Sequence, residues 1–306
     1  MSVTPQLPET LITNLAQSCQ QQHYPTACLY LVPTPIGNIA DISLRALYTL
    51  QIADAIACED TRNTATLMTR YGLHKPLIAA HQHNERSVAE KIIQQLQAGQ
   101  RIALVSDAGM PAISDPGARL VQAARDAGLL VQALPGPCAA VTALAASGFL
   151  AERFYFIGFL PNKASQREQV LRDYQQAEAN LVFYEAPHRI AETLAALALV
   201  FGGARQVLLA REISKLFEEL ARLPLSQAQA WLDADKMRTK GEYVIVLEGL
   251  QAETSSEQAE ATRILQILMK DLPLKQAAAL TAEITGQKKN ALYESGLRLK
   301  ELDEGA

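Results

Sequence analysis

The sequence is poor in several features, and each scarcity excludes something. No apolar run approaches the roughly 18–20 residues of a membrane span, so no membrane-crossing helix is expected. The opening residues, MSVTPQLPET, carry no positive charge and lead into no apolar segment, so no secretory leader is expected. Cysteine is sparse: Cys19, Cys28, Cys58 and Cys138 show no CxxC spacing. That argues against a disulfide framework or a zinc site and favours a reduced, cytoplasmic protein with buried thiols. His81 and His83 would share one face of an extended segment. No third ligand accompanies them at a suggestive spacing, so no metal is expected. Basic residues are not in excess: 28 Lys and Arg face 32 Asp and Glu, a formal net charge of −4. Nucleic-acid binding would therefore need a local basic patch. The lone tryptophan, Trp231, is expected in the core.

The chain does have enough apolar material for a core: 49% hydrophobic and 20% charged residues over 306, a length sufficient for two domains. Residues 1–26 are mixed and polar and read as a tail or loose helix. From Thr26, short apolar runs alternate with amphipathic stretches. CLYLV (28–32), AIAC (55–58), PLIAA (76–80), RIALVSD (101–107) and LLVQALPG (129–136) read as strands. Helices are expected between them over 41–53, 62–72, 87–99 and 118–128, with Asp41 or Ser43 capping the first and Ser87 and Glu90 forming a capping box on the third. Such alternation predicts a mostly parallel sheet covered on both faces. Near 148 the rhythm restarts and predicts a second α/β domain to 250 with a more mixed sheet. A polar linker at 251–260 and a helical appendage at 261–306 complete the expected order, after an N-terminal domain over 27–147.

In open α/β sheets ligands sit beyond the carboxyl ends of the strands. Those ends read VPTPIGN, EDTR (59–62), HQHNE (81–85), SDAGMPAISDPG (106–117) and PGPCAAVTA (135–143), all polar or rich in Gly and Pro. The first has a single glycine, Gly37, and no lysine, so it is not a phosphate loop. A stiff, uncharged turn suits a ligand without phosphates.

Taken in order, VPTPIGNIADIS, EDTR, SDAGMPAISDPG, LPGPCA, FIGFLP, FYEAPHR and GEYVIVLEG resemble the tetrapyrrole methylase superfamily. Within it they are similar to the bacterial branch that 2′-O-methylates a cytidine of 16S ribosomal RNA with S-adenosylmethionine. Corrin and porphyrin methylases of the superfamily usually carry GxGPGD at the first loop and GGDP at the fourth. Here Pro33-Thr34-Pro35-Ile36-Gly37-Asn38 and Asp107-Ala108-Gly109-Met110 stand instead, which favours the RNA branch. The resemblance implies two α/β domains with the cofactor in a cleft between them, and a homodimer.

Cofactor contacts are expected from Pro33, Ile36, Asp107, Ala108, Gly109, Ala112, Ile113, Cys138 and Ala139. The resemblance adds Tyr184, Ala186 and Gly241 from the second domain. Glu59, Asp60 and Glu185 are the carboxylates placed by strand ends to direct the ribose proton, with helix capping as the competing role. RNA contacts are expected from Arg62, His83, Asn84, Lys163, Arg167, Arg189, Lys288 and Lys289, on 16S RNA or the small ribosomal subunit. A small-molecule methylase on the same scaffold and a nonenzymatic RNA-binding module are the competing readings.

Overall fold

The computed structural model describes residues 8–81, 85–250 and 254–304. The chain forms two compact units, the larger running to Leu247 apart from 151–154 and 176–180, which belong with the C-terminal helices.

The larger unit opens with α1 (Glu9–Gln20) and then alternates β1 (Cys28–Leu31), α2 (Leu44–Ile52), β2 (Ala55–Cys58), α3 (Thr61–Arg70), β3 (Leu77–Ala79), α4 (Glu85–Gln97), β4 (Arg101–Val105), α5 (Ala118–Asp126), β5 (Leu130–Ala133) and α6 (Ala139–Ser147). The first sheet has the order β3-β2-β4-β1-β5, with β2–β3, β2–β4, β1–β4 and β1–β5 all paired parallel. Strand alternation explains its two covered faces. Cys28, Tyr30, Ile56 and Val105 pack with Ala46, Leu50 and Met68 of α2 and α3. Leu29, Leu31, Ala57 and Leu104 pack with Ile92, Leu96 and Leu120 of α4 and α5.

A second sheet follows: β6 (Phe154–Phe159), α7 (Ala164–Asp173), β7 (Asn180–Glu185), α8 (Ile190–Phe201), β8 (Gln206–Arg211), β9 (Glu219–Pro224), α9 (Leu225–Asp233) and β10 (Tyr243–Leu247). Its order is β6-β7-β10-β8-β9, and β10 runs antiparallel to both neighbours. Ala140 and Ala143 of α6 pack on Val182, Leu208, Ala210 and Val244 of this sheet.

The smaller unit holds α10 (Thr254–Met269), α11 (Leu274–Thr285) and α12 (Lys289–Glu304), packed through Ala261, Leu265, Ala277, Ala278 and Leu292. Gly249 donates to Asn180 Oδ1 at 2.9 Å and Leu250 to the Ala177 carbonyl at 2.7 Å.

Several local expectations change. Asp41 ends a 3₁₀ turn capped by Asn38, and Ser43 caps α2 through its bond to the Ala46 amide. Helix α4 already begins at Glu85, so Ser87 lies inside it rather than at its N-cap. The stretch after β5 read as a loop forms helix α6; AAVTALAAS has no polar face to give it a period. Strand β9 is not expected from the sequence: ELARLP lacks clear alternation and gains its order from pairing with β8. Trp231 is half-buried rather than core, with the Arg238 guanidinium 4.1 Å above its ring. Helix α10 takes up described residues of the stretch read as a linker; Glu, Gln and Ala favour a helix without an apolar stripe.

Candidate functional site

The strand-end loops of the first sheet are fastened to each other. Thr34 and Gly109 exchange both backbone hydrogen bonds at 3.0 Å, and the buried Thr34 hydroxyl donates to the Ser106 carbonyl at 3.0 Å. Ser106 in turn donates to the carbonyls of its own loop at 3.2–3.3 Å. A Cβ on Gly136 would stand 2.7 Å from Pro33 Cβ, so the proline fills the space that glycine leaves. The β4 loop passes through left-handed conformations at Gly109 (φ 83°), Ala112 (φ 67°) and Ser114 (φ 63°). Two non-glycine residues in that region within three positions mark a backbone held by its surroundings.

Carboxylates gather at the ends of β2 and β4. Asp60 caps α3 by accepting from the Arg62 amide at 2.8 Å, and pairs with the Arg62 side chain at 2.6 Å. Those bonds hold its carboxyl down to about 2. Asp107 accepts from Asn63 Nδ2 at 2.7 Å and from the Asp60 amide at 3.4 Å. Burial, then the charges of Asp107 and Asp60, push Glu59 up. Burial, then Glu59, raise Asp115 to about 6. Asp115 is not among the expected site residues; its signal is that Ser114-Asp115-Pro116-Gly117 repeats the Ser-Asp-X-Gly spacing of Ser106-Asp107-Ala108-Gly109 in the same loop.

The second sheet brings its own strand ends. The Tyr184 hydroxyl accepts from the Ala140 amide at the start of α6 (3.3 Å), and burial raises it to about 12. The buried Glu185 accepts from the Thr193 hydroxyl at 2.6 Å and the Ala186 amide at 2.8 Å, and faces Arg189 Nε at 3.4 Å. Because β10 is antiparallel, its first residue pairs with Glu185 on one side and Arg211 on the other. Gly241 and Glu242 thus arrive at the carboxyl ends of β7 and β8. Lys215 spans two carboxylates there, Glu212 at 2.7 Å and Glu242 at 2.8 Å. Gly241 (φ 85°) leaves room for Glu212, whose Cγ would be 2.5 Å from a Cβ.

These loops enclose a cleft of about 390 Å³. Among the expected cofactor residues, Ile36, Asp107, Ala108, Gly109, Ile113, Cys138, Ala139, Tyr184 and Ala186 line it, as does Glu185. Pro33, Ala112 and Gly241 are not among its lining residues. Met110, inside the Asp107–Ala112 loop, lines the cleft too, and lining residues that the sequence did not suggest include Asp115, Phe159, Glu212 and Lys215. Glu59 and Asp60 are half-buried beside Asp107, outside the lining.

The RNA residues scatter. Arg167 is buried and bound to Glu192 at 3.1 Å, which uses its charge inside the protein. Arg189 is half-buried and donates to the Leu160 carbonyl at 2.7 Å. Arg62 and Lys163 are exposed, Arg62 with its charge answered by Asp60. Lys288 and Lys289 are exposed in the smaller unit. His83 and Asn84 lie outside the described residues.

A doubly covered parallel sheet and a second sheet whose strands β7, β10, β8 and β9 pair antiparallel, with strand-end loops of both lining one cleft of small-molecule size, define a two-sheet α/β fold. A family model described as Tetrapyrrole (Corrin/Porphyrin) Methylases matches residues 28–229, and one described as RsmI C-terminal HTH domain matches 255–300. The chain belongs to the tetrapyrrole methylase family, in the branch of the ribosomal RNA small subunit methyltransferase I proteins. The relative of that name from Escherichia coli O157:H7 is 49% identical over 88% of this chain and 94% of its own. That from Pseudomonas aeruginosa is 48% identical over 88% and 96%. Among solved structures, the methyltransferase CobJ superposes with a TM-score of 0.55 at 21% identity, over 72% of this chain and 93% of that one. Uroporphyrin-III-C-methyltransferase from Thermus thermophilus gives 0.52 at 16%, over 76% and 98%. At such identities the likeness is one of fold.

Proposed function

We propose that this chain is a methyltransferase that uses S-adenosylmethionine to 2′-O-methylate the ribose of a cytidine in 16S ribosomal RNA. The observation that carries the reading is the charge of the cleft. Among the described residues its lining holds the carboxylates Asp107, Asp115, Glu185, Glu212 and Glu242, and a single basic side chain, Lys215, already answered by two of them. Such a cleft disfavours a phosphate-bearing cofactor and suits one that carries a sulfonium and an ammonium. Its volume lies within the roughly 300–1,000 Å³ of small-molecule sites, and Ile36, Met110, Ile113 and Val244 offer apolar walls. A solved relative of the fold, with a TM-score of 0.50, is described as complexed with S-adenosyl homocysteine.

S-adenosylmethionine, when bound, supplies the electrophilic methyl. The chain's part is to hold and orient. Asp107 and Asp115 attract the cation, and the apolar walls exclude water. Pro33, Ala112 and Gly241 set the turns that position these groups. Glu59, with its carboxyl pushed up, suits the acceptance of a hydroxyl proton, and Asp60 fixes the start of α3 beside it. The substrate is presented as 16S RNA or the assembled small subunit, by a homodimer acting in the cytoplasm. No helix among the described residues is long and apolar enough to cross a membrane.

Mass spectrometry of nucleosides from ribosomal RNA of a deletion strain, with and without the gene restored, tests the reading. The 2′-O-methylated cytidine should vanish and return. A methyl group found on a ring carbon or nitrogen would overturn the assignment. A second reading, a small-molecule methylase, draws on the tetrapyrrole and corrin methylases of similar fold and predicts no change in any ribosomal nucleoside. A nonenzymatic RNA-binding module predicts no heat of binding with S-adenosylmethionine.

A further inference from the structure

Between β8 and β9 the chain makes a tip over residues 212–218. Its backbone takes left-handed conformations at Glu212 (φ 51°) and Ser214 (φ 68°), which side-chain-bearing residues adopt only under constraint. The constraints are visible. Ser214 donates its amide to Glu218 Oε2 at 2.6 Å and its hydroxyl to the Asp41 carboxylate, while Lys215 donates its amide to the Glu212 carbonyl at 3.0 Å. Below the tip, the buried Arg211 donates to the carbonyls of Phe217 at 3.2 Å, Met237 at 2.8 Å and Lys240 at 2.8 Å. One guanidinium therefore fixes the tip to the 3₁₀ turn Lys236–Thr239.

This fixed support presents Leu216 at 89% and Phe217 at 63% exposure. Met237, Lys236 and Lys240 are exposed on the turn beside them. Glu212, Ile213 and Lys215 of the same tip line the cleft. The outward apolar pair is thus continuous with the cleft wall. Nearby carboxylates are engaged: Glu219 with Arg211 and Arg238, Asp235 with the Met237 amide. A rigid, exposed aromatic loses little freedom when it makes a contact, and every nucleobase offers a face to stack on it.

Resting on the RNA reading above, we propose that Phe217 and Leu216 form a stacking platform for an unpaired nucleobase of the substrate next to the cleft mouth, with Lys236 and Lys240 holding the adjoining phosphates. The platform binds through stacking, and the two lysines add the salt-dependent part.

The test uses the full chain and small ribosomal subunits prepared without the modification. In a Leu216→Ala/Phe217→Ala variant, KM for the subunit should rise about fivefold to a hundredfold, the range of one lost base–aromatic stack. The change in kcat should be smaller, and calorimetric affinity for S-adenosylmethionine should hold. Phe217→Trp alone should keep KM near that of the parent. Lys236→Gln/Lys240→Gln should lower the magnitude of the salt slope by up to roughly 2, whereas the apolar variant leaves the slope intact. An unchanged KM in the double alanine variant, with the parent active, overturns the platform while leaving the activity standing. A high KM in Phe217→Trp overturns it as well. So does light scattering that shows the alanine variant losing a subunit, since the pair would then join two copies of this chain. A parent inactive on ribosomal RNA sinks the functional reading itself.

Discussion

Lys215 packs directly onto Gly37. A Cβ built on that glycine would stand 2.3 Å from Lys215 Cγ and 3.3 Å from the Ile213 carbonyl. The turn after β1 and the tip after β8 meet where one of them has no side chain. Gly37 does not need its freedom of φ here; it needs its lack of bulk. The lysine that fills the space goes on to bridge Glu212 and Glu242 in the cleft wall.

Gly37→Ala should therefore cost about 1–3 kcal/mol, the usual range for forced overpacking. Denaturant unfolding checks this. Cofactor affinity should fall too, because Lys215 must move. Adding Lys215→Ala should return part of the lost stability, and a double-mutant cycle measures that coupling.

Thr34→Val keeps the shape of a fully buried side chain but removes its bond to the Ser106 carbonyl. Leaving that acceptor unsatisfied should cost about 1–3 kcal/mol. Thr34→Ser, which retains the hydroxyl, should cost less. Equal losses in the two variants would mean that the methyl group, not the hydrogen bond, fastens the loops.

Asp115 gives the cleft a pH dependence. Its carboxyl rises to about 6 from an ordinary 3.8, through burial and then the charge of Glu59. Between about 4 and 6 the native state holds a proton that the unfolded chain has released, so this group lowers stability as pH rises through that window. Asp115→Asn should raise the melting temperature slightly above pH 6 and leave it unchanged below about pH 4. Binding of a cationic cofactor has the opposite sense. Affinity for S-adenosylmethionine should strengthen as pH rises through about 6, and the asparagine variant should flatten that part of the curve.

The carboxylates divide by their partners. Glu185→Gln disturbs a buried acceptor of two hydrogen bonds beside Arg189, so unfolding measurements should show a loss of about 3–5 kcal/mol, the range for breaking a buried pair. Asp60→Asn weakens the pairing with Arg62 but keeps a capping oxygen, and should be mild in stability. Glu59→Gln leaves fewer structural bonds at risk. At least one of the three changes should slow methyl transfer by more than about tenfold, with Glu59→Gln the clearest test of proton transfer. Full turnover in all three would leave positioning alone to carry the reaction.

Local chemistry written in the sequence decided a good deal. The alternation of CLYL, AIAC and RIALV with amphipathic stretches carried the covered parallel sheet, because burial on both faces requires strands apolar throughout. The strand-end strings carried the cleft loops, because turns that approach a ligand need Gly, Pro and small residues wherever they lie in the fold. Tertiary structure alone decided the rest. Only the antiparallel insertion of β10 between β7 and β8 brings Glu242 to Glu212 and Lys215, across sequence separations that no local pattern encodes. Only packing reveals that Arg167 is spent on Glu192 and Arg211 on three carbonyls, since a sequence displays each arginine as an equal charge. Asp115 differs from any other aspartate only through burial and the acids beside it. Burial, charge pairing and pKa depend on distances between residues far apart in the chain, and those distances exist only once it has folded.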